Sequence, residues 1–293
     1  MNIAILGANG YIGHNLINKL LAETDHTIVA LSPNAESIPV HNERLTKCNV
    51  DVFDTEKLQG LIQNCDAAYY LIHMMAQKKV DFADAESKAA QSFCKAASNS
   101  KIACVIYLGG LGNDNEKLSK HLASRHKTGE ILKSGLPRVI EFRASMIIGN
   151  GSISYDIVTN LIHKLPILTL PKWAETLTQP IGLSDALSYL VTALSLKTFE
   201  SQIIEIGGPE QLSYGDLMKR YAAWKNKKMI IIKLHVIPLS IAGWWLNLFT
   251  PNTHAKVGRI MVESLSNPMV VTNHRAAELF PAIHTKKLEE VFV

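Results

Sequence analysis

The sequence lacks the features that mark several classes of protein. Its four cysteines, Cys48, Cys65, Cys94 and Cys104, have no paired spacing of the kind found in zinc sites, so we expect reduced thiols and no metal centre. The net charge of only +4 and the absence of a run of Lys or Arg do not indicate nucleic-acid binding. Internal repeats and low-complexity linkers are also missing. The chain starts directly with an apolar strand pattern, which leaves no room for a cleaved signal peptide and favours a cytoplasmic location.

One long stretch is free of charge. Residues 234–253 contain no Asp, Glu, Lys or Arg and include Trp244 and Trp245. A membrane span needs about 20 mainly apolar residues, and a histidine, a proline, a serine and an asparagine interrupt this stretch. We therefore expect no transmembrane span, with peripheral membrane contact left open. We interpret residues 239–249 as a helix over a substrate cleft, where Trp244 and Trp245 would contact an apolar or ring-shaped substrate; membership of the hydrophobic core is the alternative.

The amino-terminal stretch is the most informative part of the chain. Asn2–Leu6 is a short apolar run that ends at Gly7, as is typical of a buried parallel strand. After Gly10 apolar residues recur every four positions, from Ile12 to Leu20, which predicts a helix. Strand, glycine turn and helix together form the arrangement that binds the pyrophosphate of a dinucleotide.

The three glycines of this turn have separate roles. Gly7 permits the tight turn, Gly10 lets the backbone approach the phosphates, and Gly13 lets the helix pack close to the strand. The free N–H groups of the first helical turn and the helix dipole then favour an anion. The residues that we predict to contact the cofactor in this motif are Gly7, Asn9, Gly10, Tyr11, Ile12 and Gly13.

The Gly-x-x-Gly-x-x-Gly spacing is similar to that of the short-chain dehydrogenase/reductase superfamily. The resemblance implies an α/β protein with a doubly wound, parallel-sheet Rossmann fold of about seven strands and NAD(P) as cofactor. We expect residues 1–150 to form the NAD(P)-binding domain, completed by a strand near 203–206. Residues 151–293 would mainly form a smaller, interwoven substrate lobe.

Two polar residues follow the predicted second strand, 27–31, where the cofactor's ribose would lie. Ser32 and Asn34 can bond to either NAD or NADP, because neither an acidic residue nor an arginine stands there. Arg44 and Lys47 lie further along and give a slight preference for NADP; a solvated turn is the alternative for both.

Further cofactor contacts are expected after the third and fourth strands, since ligands of open parallel sheets bind beyond the carboxyl ends of the strands. The resemblance implies that Asp51 contacts the adenine amino group, with Val52 beside it. The backbone of Leu71 and Ile72 should line the cofactor, and His73 could contact the cofactor or the substrate.

The catalytic residues of the superfamily are absent. A serine after the fifth strand and a Tyr-x-x-x-Lys pair on the next helix are implied by the resemblance, but Gly109 or Gly110 replaces the serine. The register of the helix places His121 at the tyrosine position and Arg125 at the lysine position. A neutral histidine exchanges protons near pH 7 and an arginine can hold a ribose or phosphate, so we take His121 and Arg125 as catalytic candidates. A basic helix surface is the alternative.

Further motifs, most of them in the second half of the chain, make the resemblance more specific. Residues 143–154, 69–73, 179–181 and 206–209 together resemble the atypical short-chain dehydrogenases/reductases, the NmrA-like and nucleoside-diphosphate-sugar-epimerase-like proteins. Many members of that group lack the catalytic tyrosine. Arg143, predicted just past a strand covering 138–142, would meet a substrate anion or form an ion pair in the core.

These observations favour an NAD(P)-dependent oxidoreductase acting on a small, apolar or ring-shaped acceptor. A non-catalytic NAD(P)-binding sensor or assembly factor is the alternative, favoured by the missing triad. A sugar-nucleotide epimerase is the third interpretation, although its chemistry also uses the absent tyrosine. The sequence does not indicate an oligomeric state.

Overall fold

The computed structural model describes residues 1–74, 81–164, 167–170, 172–233 and 263–293. Strands and helices alternate through the first half, as the hydrophobic pattern predicted. The strands are β1 (Asn2–Leu6), β2 (Thr27–Ser32), β3 (Leu45–Asn49), β4 (Ala67–Tyr70), β5 (Cys104–Gly110), β6 (Val139–Ala144), β7 (Ile147–Ile148), β8 (Ile167–Leu170), β9 (Leu177–Thr178), β10 (Ile181–Gly182), β11 (Gln202–Ile206), β12 (Leu212–Ser213) and β13 (Ile230–Lys233). The helices are α1 (Tyr11–Glu23), α2 (Thr55–Ile62), α3 (Phe82–Ala97), α4 (Lys120–Gly135), α5 (Ile153–Lys164), α6 (Leu183–Thr192), α7 (Tyr214–Trp224), α8 (Arg275–Leu279) and α9 (Leu288–Val291).

Seven strands form one sheet in the order β3-β2-β1-β4-β5-β6-β11. Every neighbouring pair in this sheet is parallel. The order runs outward from β1 in both directions, so the predicted doubly wound Rossmann fold is confirmed. The reversal of strand order lies between β1 and β4, beside the glycine turn.

The sheet carries a hydrophobic layer on each face. On one face the buried side of α1, including Leu16 and Leu20, packs with Leu187 and Leu190 of α6. On the other face α2, α3 and α4 cover the strands, with Phe93 fully buried among them. Both faces of the central strands are therefore removed from water, which explains their continuous apolar runs.

The second half of the chain does not form a separate unit. Strand β11 completes the main sheet as predicted, and α6 also returns to it by packing against α1. The remaining part of the lobe has its own core, in which Tyr155, Tyr221 and Phe292 pack together. The two lobes are thus interwoven, and the substrate role of the smaller one stays a prediction.

Two strands extend beyond their predicted ends. Strand β5 continues through Gly109 and Gly110, and β6 continues through Arg143, because parallel pairing joins Gly109 to Arg143 and Gly110 to Ala144. Ser184 and Asp185, although residue types that often cap helices, lie inside the first turn of α6. Gly182 is the N-cap and no side chain bonds to it.

The predicted helix 239–249, with Trp244 and Trp245, lies outside the described residues. Within the ranges given above, no helix has the length and apolar character that crossing a membrane requires.

Candidate functional site

The residues predicted to bind the cofactor come together at one edge of the sheet. Gly7 follows β1, Ser32 ends β2, Asp51 follows β3 and Leu71 follows β4. The carboxyl ends of parallel strands meet at the same edge, so four separate segments of sequence line one surface.

The glycine turn shows why side chains are excluded at two of its positions. Gly7 has φ +78°, and a Cβ atom there would lie 2.7 Å from the carbonyl oxygen of Leu71. A Cβ on Gly13 would collide with the Gly7 carbonyl oxygen and with the backbone of Ala8. Both glycines are therefore required by the fold itself, whatever the turn binds.

Gly10 differs from its two neighbours in the motif. It has ordinary extended backbone, φ −73° and ψ 164°, which any residue adopts. A Cβ atom on Gly10 would have only the Gly7 oxygen close by, at 3.1 Å. The backbone conformation thus does not require glycine here, although a side chain would press on the Gly7 carbonyl oxygen, and the space in front of Gly10 fits a ligand that approaches the backbone.

The amino terminus of α1, beside Gly10, has no side-chain cap. Its first turn also contains no acidic residue. The N–H groups of Tyr11, Ile12 and Gly13 have no acceptor within the helix, because the first N–H groups of any α-helix lack one. Together with the helix dipole they favour a diphosphate, so the turn fits the cofactor that the motif predicted.

Tyr11 closes the far side of this turn. A Cβ on Gly149 would collide with its hydroxyl group, and the Tyr11 ring lies beside Gly151. Burial, with the charge of Asp156, raises the pKa of Tyr11 to about 12. The Tyr11 hydroxyl is buried without a hydrogen-bond partner among the described residues.

The loop beyond β2 is held next to the glycine turn. The amide of Asn9 donates to Ser37 Oγ at 2.9 Å, and Ser37 Oγ donates to the Asn34 carbonyl oxygen at 2.8 Å. The Ser32 hydroxyl is buried and accepts a 3.4 Å bond from the Asn34 N–H group.

The slight preference for NADP depended on two basic residues, and both bond to the protein's own backbone. Arg44 donates to the carbonyl oxygens of Leu21 and Thr24 at the end of α1, and Lys47 donates to the Ile38 carbonyl oxygen at 2.7 Å. Both cations stabilise backbone, so the reason for favouring NADP disappears.

Asp51 and Val52 follow β3 at the expected place. Asp51 is exposed and one of its carboxylate oxygens accepts the N–H of Phe53 at 3.1 Å, which leaves the other oxygen free of a described bond. Val52 is buried, and its carbonyl oxygen accepts the Ser92 hydroxyl. Their predicted contact with adenine stays a prediction.

The structure brings together two histidines that lie 48 positions apart in sequence. Nε2 of His73 and Nε2 of His121 are separated by 3.2 Å, and their rings are stacked with centroids 5.2 Å apart. Nδ1 of His73 lies 2.5 Å from Oε1 of Glu86, which also accepts the N–H of Met74. The other Glu86 oxygen accepts the Ser124 hydroxyl at 2.5 Å.

Arg125 supports this network from inside. Its guanidinium group donates to the carbonyl oxygens of Ile72 at 3.0 Å and Leu108 at 2.5 Å. It lies 3.5 Å from Glu86 Oε1 and over the ring of Tyr107. Arg125 is buried and joins the ends of β4 and β5 in this way, and its expected role in holding a ribose or phosphate stays a prediction.

Charges in this cluster are set by its surroundings. Burial alone would raise the pKa of Glu86, but the hydrogen bond from His73 and the charge of Arg125 hold it at about 2. Burial, His73 and Arg125 lower the pKa of His121 to about 3. Burial and Arg125 also lower the pKa of His73, against the opposing effect of Glu86. At neutral pH the carboxylate is therefore ionised and both imidazoles are neutral.

A residue from the distant carboxyl-terminal segment completes the cluster. Ser264 Oγ lies 3.1 Å from Nδ1 of His121 and 2.9 Å from Oγ of Ser119, the N-cap of α4. Asn267 anchors this segment, because its side chain accepts the N–H of Ser119 and donates to the Lys117 carbonyl oxygen.

Gly109 and Gly110, which stand where the superfamily has its serine, are closely packed against neighbouring side chains. A Cβ on Gly110 would lie 2.8 Å from the Leu122 side chain, and one on Gly109 would lie 3.2 Å from the Tyr107 ring. The end of β5 therefore offers no hydroxyl to a substrate, and the hydroxyl groups nearest His121 come from Ser119 and Ser264 instead.

Arg143 is an ion-pair partner in the core. Its Nε donates to Glu141 Oε1 at 2.8 Å and its NH1 donates to Asp114 Oδ2 at 2.8 Å. Glu141 is fully buried and also pairs with Lys133. Asp114 in turn contacts Nδ1 of His126. Of the two roles considered for Arg143, the structure shows the ion pair, and the expected contact with a substrate anion is corrected.

Two members of the cluster were missed from the sequence. Glu86 had a signal, because it occupies the buried face of α3 with Ala89, Ala90 and Phe93, where a carboxylate requires a partner. Ser264 had none, since nothing in a helix or strand pattern relates it to His121 across 143 residues. In the described ranges, no cluster of three or more His, Cys, Asp or Glu side chains could hold a metal ion.

A family model matches the part of the chain that contains the glycine turn. Residues 7–145 match the family model described as NAD(P)H-binding. This part of the chain is an NAD(P)H-binding domain. The matched residues cover β2 to β6 and include His73, His121 and Glu86. A search of curated proteins finds no match to the chain.

Solved structures share this fold along nearly the whole chain. UDP-glucuronic acid 4-epimerase from Bacillus cereus in complex with NAD is 18% identical, with 92% of this chain and 97% of that chain covered and a TM-score of 0.69. UDP-glucose 4-epimerase from Thermotoga maritima is 13% identical, covers 99% and 96%, and has a TM-score of 0.73. A nucleoside-diphosphate-sugar epimerase from Staphylococcus aureus is 13% identical, covers 99% and 98%, and has a TM-score of 0.73. At these identities the likeness is one of fold, and it agrees with the doubly wound Rossmann fold described above.

Proposed function

We propose that the protein is an NAD(P)-dependent oxidoreductase that moves a hydride between the cofactor and a small molecule with a hydroxyl or carbonyl group. The observation that carries this proposal is the His121–His73–Glu86 network. It holds two neutral imidazoles and an ionised carboxylate next to the strand end that meets the glycine turn.

The residues of the chain have separate tasks in such a reaction. The bound cofactor supplies a hydride acceptor or donor. In the oxidation direction the substrate hydroxyl loses its proton to the His121 side of the network while its carbon loses the hydride, and reduction reverses both transfers. Arg125 positions the network, because it fixes the backbone at Ile72 and Leu108 and lies against Glu86.

For the cofactor we propose that NAD binds at least as well as NADP. Arg44 and Lys47, the cations near the ribose side, are bonded to backbone carbonyl groups. The likeness to a structure in complex with NAD supports the same proposal. A cytoplasmic location remains our expectation from the sequence.

The substrate class is open between two kinds of molecule. The fold neighbours are named for sugar nucleotides, which favours a sugar-nucleotide substrate and the epimerase interpretation. The histidine at position 121 argues for different proton chemistry from that of a tyrosine. The apolar or ring-shaped acceptor predicted from Trp244 and Trp245 rests on residues outside those that the structure describes.

A non-catalytic NAD(P) sensor is the second candidate. It is favoured because both ring nitrogens of His121 and of His73 are bonded to protein atoms and Arg125 is bonded to backbone carbonyl groups, an arrangement that also suits a purely structural network.

One assay separates these candidates. Purified protein is incubated with NAD or NADP, oxidised or reduced, and a panel of sugar nucleotides, quinones, enones and aldehydes, and cofactor absorbance and product formation are measured. The oxidoreductase proposal expects turnover with at least one acceptor, and expects His121→Phe to lower kcat about 100-fold while cofactor affinity is kept. Cofactor binding without turnover on the whole panel would favour the sensor. Isomerised sugar nucleotide without net cofactor change would favour the epimerase.

A further inference from the structure

Hydrogen-bond directions in the histidine cluster can be assigned from chemistry. Glu86 is a carboxylate that only accepts, so His73 must donate through Nδ1–H. A neutral His73 then has an accepting Nε2, which requires His121 to donate through Nε2–H. A neutral His121 in that tautomer has an accepting Nδ1, and Ser264 Oγ–H donates to it. One tautomer of each ring therefore satisfies the whole series.

The series continues to Ser119 in the same direction. Ser119 Oγ accepts the N–H of Leu122 as the N-cap of α4, so its hydroxyl proton is free to point to Ser264 Oγ at 2.9 Å. Each hydroxyl and each ring thus accepts one hydrogen bond and donates one. The series runs from Ser119 through Ser264, His121 and His73, and it ends at Glu86.

The same geometry accommodates one additional proton. If Ser264 takes up the additional proton while it passes its own to His121 Nδ1, and His121 passes its Nε2 proton to His73 Nε2, the positive charge arrives on His73, 2.5 Å from the Glu86 carboxylate. His121 is then neutral again with the opposite tautomer, and its Nδ1–H donates back to Ser264. Every distance in the series still joins a donor to an acceptor, so no side chain has to move.

We propose that Ser264, His121, His73 and Glu86 form a proton relay, in which Ser264 carries the substrate's proton to His121 and Glu86 is the positioning residue that stabilises the transferred charge on His73. This rests on the proposed oxidoreductase function. In substrate oxidation the hydroxyl proton enters at Ser264 as the hydride leaves, and in reduction the relay returns it. Glu86 stays ionised throughout, as the acid of a Ser-His-Asp triad does.

The charges around the relay keep both imidazoles neutral in the resting protein, so that they can accept a proton. His73 faces Glu86, Arg125 and His121, and His121 faces His73, Ser264 and, further away, Arg125 and Glu86. Burial and the Arg125 charge disfavour a resting imidazolium. Glu86 opposes this at His73 through a hydrogen bond and its charge, but at His121 through its charge only, so His73 is the preferred destination of the proton.

The tautomers can be read directly by long-range 1H–15N NMR of histidine-labelled full-length protein, with and without NAD. The relay predicts a protonated Nδ1 on His73 and a protonated Nε2 on His121 at neutral pH. Glu86→Gln should mix the tautomers of both rings, because an amide can donate or accept, whereas Asp84→Asn on the exposed side of the same helix should leave them unchanged. The opposite tautomers in the wild-type protein, or unchanged tautomers in Glu86→Gln, would overturn the relay.

Kinetics supply a second readout. Ser264→Ala should lower kcat about 100-fold with KM unchanged and with a larger solvent isotope effect, while Ser266→Ala, on the exposed side of the same segment, serves as the matched control. Normal turnover by Ser264→Ala would remove Ser264 from the relay. If the wild-type protein turns over no substrate, the proposed function fails, yet the NMR result still decides whether the hydrogen-bond series exists.

Discussion

Nε2 of His121 lies 3.2 Å from Nε2 of His73, and this contact joins the start of α4 to the segment that leaves β4. The two segments flank the carboxyl ends of β4 and β5, next to the reversal of strand order where open α/β sheets bind ligands. The carboxylate of Glu86 behind the two rings is buried, and a buried carboxylate is costly unless it is fully bonded. The relationship therefore makes predictions about stability as well as about activity.

The first prediction concerns stability in acid. The ordinary pKa of histidine is 6.5, and in the folded protein that of His121 is about 3. Between these values the unfolded chain binds a proton that the folded protein does not, so the stabilisation is complete above pH 6.5 and is lost as the pH falls towards 3. We expect the free energy of unfolding to fall over this window by on the order of 4 kcal/mol from His121.

Denaturant unfolding at a series of pH values measures this fall. His121→Phe should flatten the curve between pH 6.5 and 3, whereas replacing the exposed His41 with Gln should leave its shape unchanged. Equal curves for the wild-type protein and His121→Phe would show that His121 titrates in the folded protein as it does in the unfolded chain.

The second prediction concerns Arg143. Replacing it with Met leaves the fully buried Glu141 with only Lys133 as a cationic partner. We expect the free energy of unfolding to fall by about 3 kcal/mol, the usual result when one partner of a buried pair is removed. Arg275→Met, at an exposed arginine, should cost less than about 0.5 kcal/mol. A stable Arg143→Met protein with weakened substrate binding would restore the substrate role that the structure argues against.

The third prediction concerns cofactor choice. Arg44→Gln removes a guanidinium group that bonds the carbonyl groups of Leu21 and Thr24. Stability should decrease by about 1 kcal/mol or more, because hydrogen bonds of a charged group are lost, but the ratio of the NAD and NADP dissociation constants should stay within twofold. Calorimetric titration of both cofactors into both proteins measures that ratio. A selective loss of NADP affinity would show that Arg44 reaches the ribose phosphate.

Local patterns were sufficient to predict the cofactor edge. The apolar run at Asn2–Leu6 and the glycine spacing that follows it determine a strand, a turn and a helix within a few residues, and the parallel sheet then brings the other strand ends alongside. The cap of α2 is equally local, since the Asp54 side chain accepts the N–H of Lys57, three residues further on.

Contacts between distant segments were the part that could not be predicted. Arg143 was placed after its strand because the apolar run stops at Phe142, whereas pairing with Gly109 and Gly110 extends β6 past it. Asp185 stands in the first turn of α6, where a local bond is expected, but its carboxylate accepts the N–H of Lys286, a contact across 101 residues. Tertiary packing determines partners of this kind, and no periodic pattern in the sequence indicates them.

The most direct test of the account is a calorimetric titration of NAD and NADP into the wild-type protein, Gly10→Val and Gly60→Ala. Gly10 has a backbone conformation that valine adopts, and Gly60 has open space around it, so both variants should fold. We predict that the wild-type protein and Gly60→Ala bind a nicotinamide dinucleotide with the same dissociation constant. Gly10→Val should stay folded, with at most a small decrease in melting temperature from the contact with the Gly7 carbonyl oxygen, and should lose at least about tenfold in affinity, or about 1.4 kcal/mol. Absence of heat with either dinucleotide in the folded wild-type protein, or undiminished binding by Gly10→Val, would contradict the assignment of the glycine turn as the cofactor site.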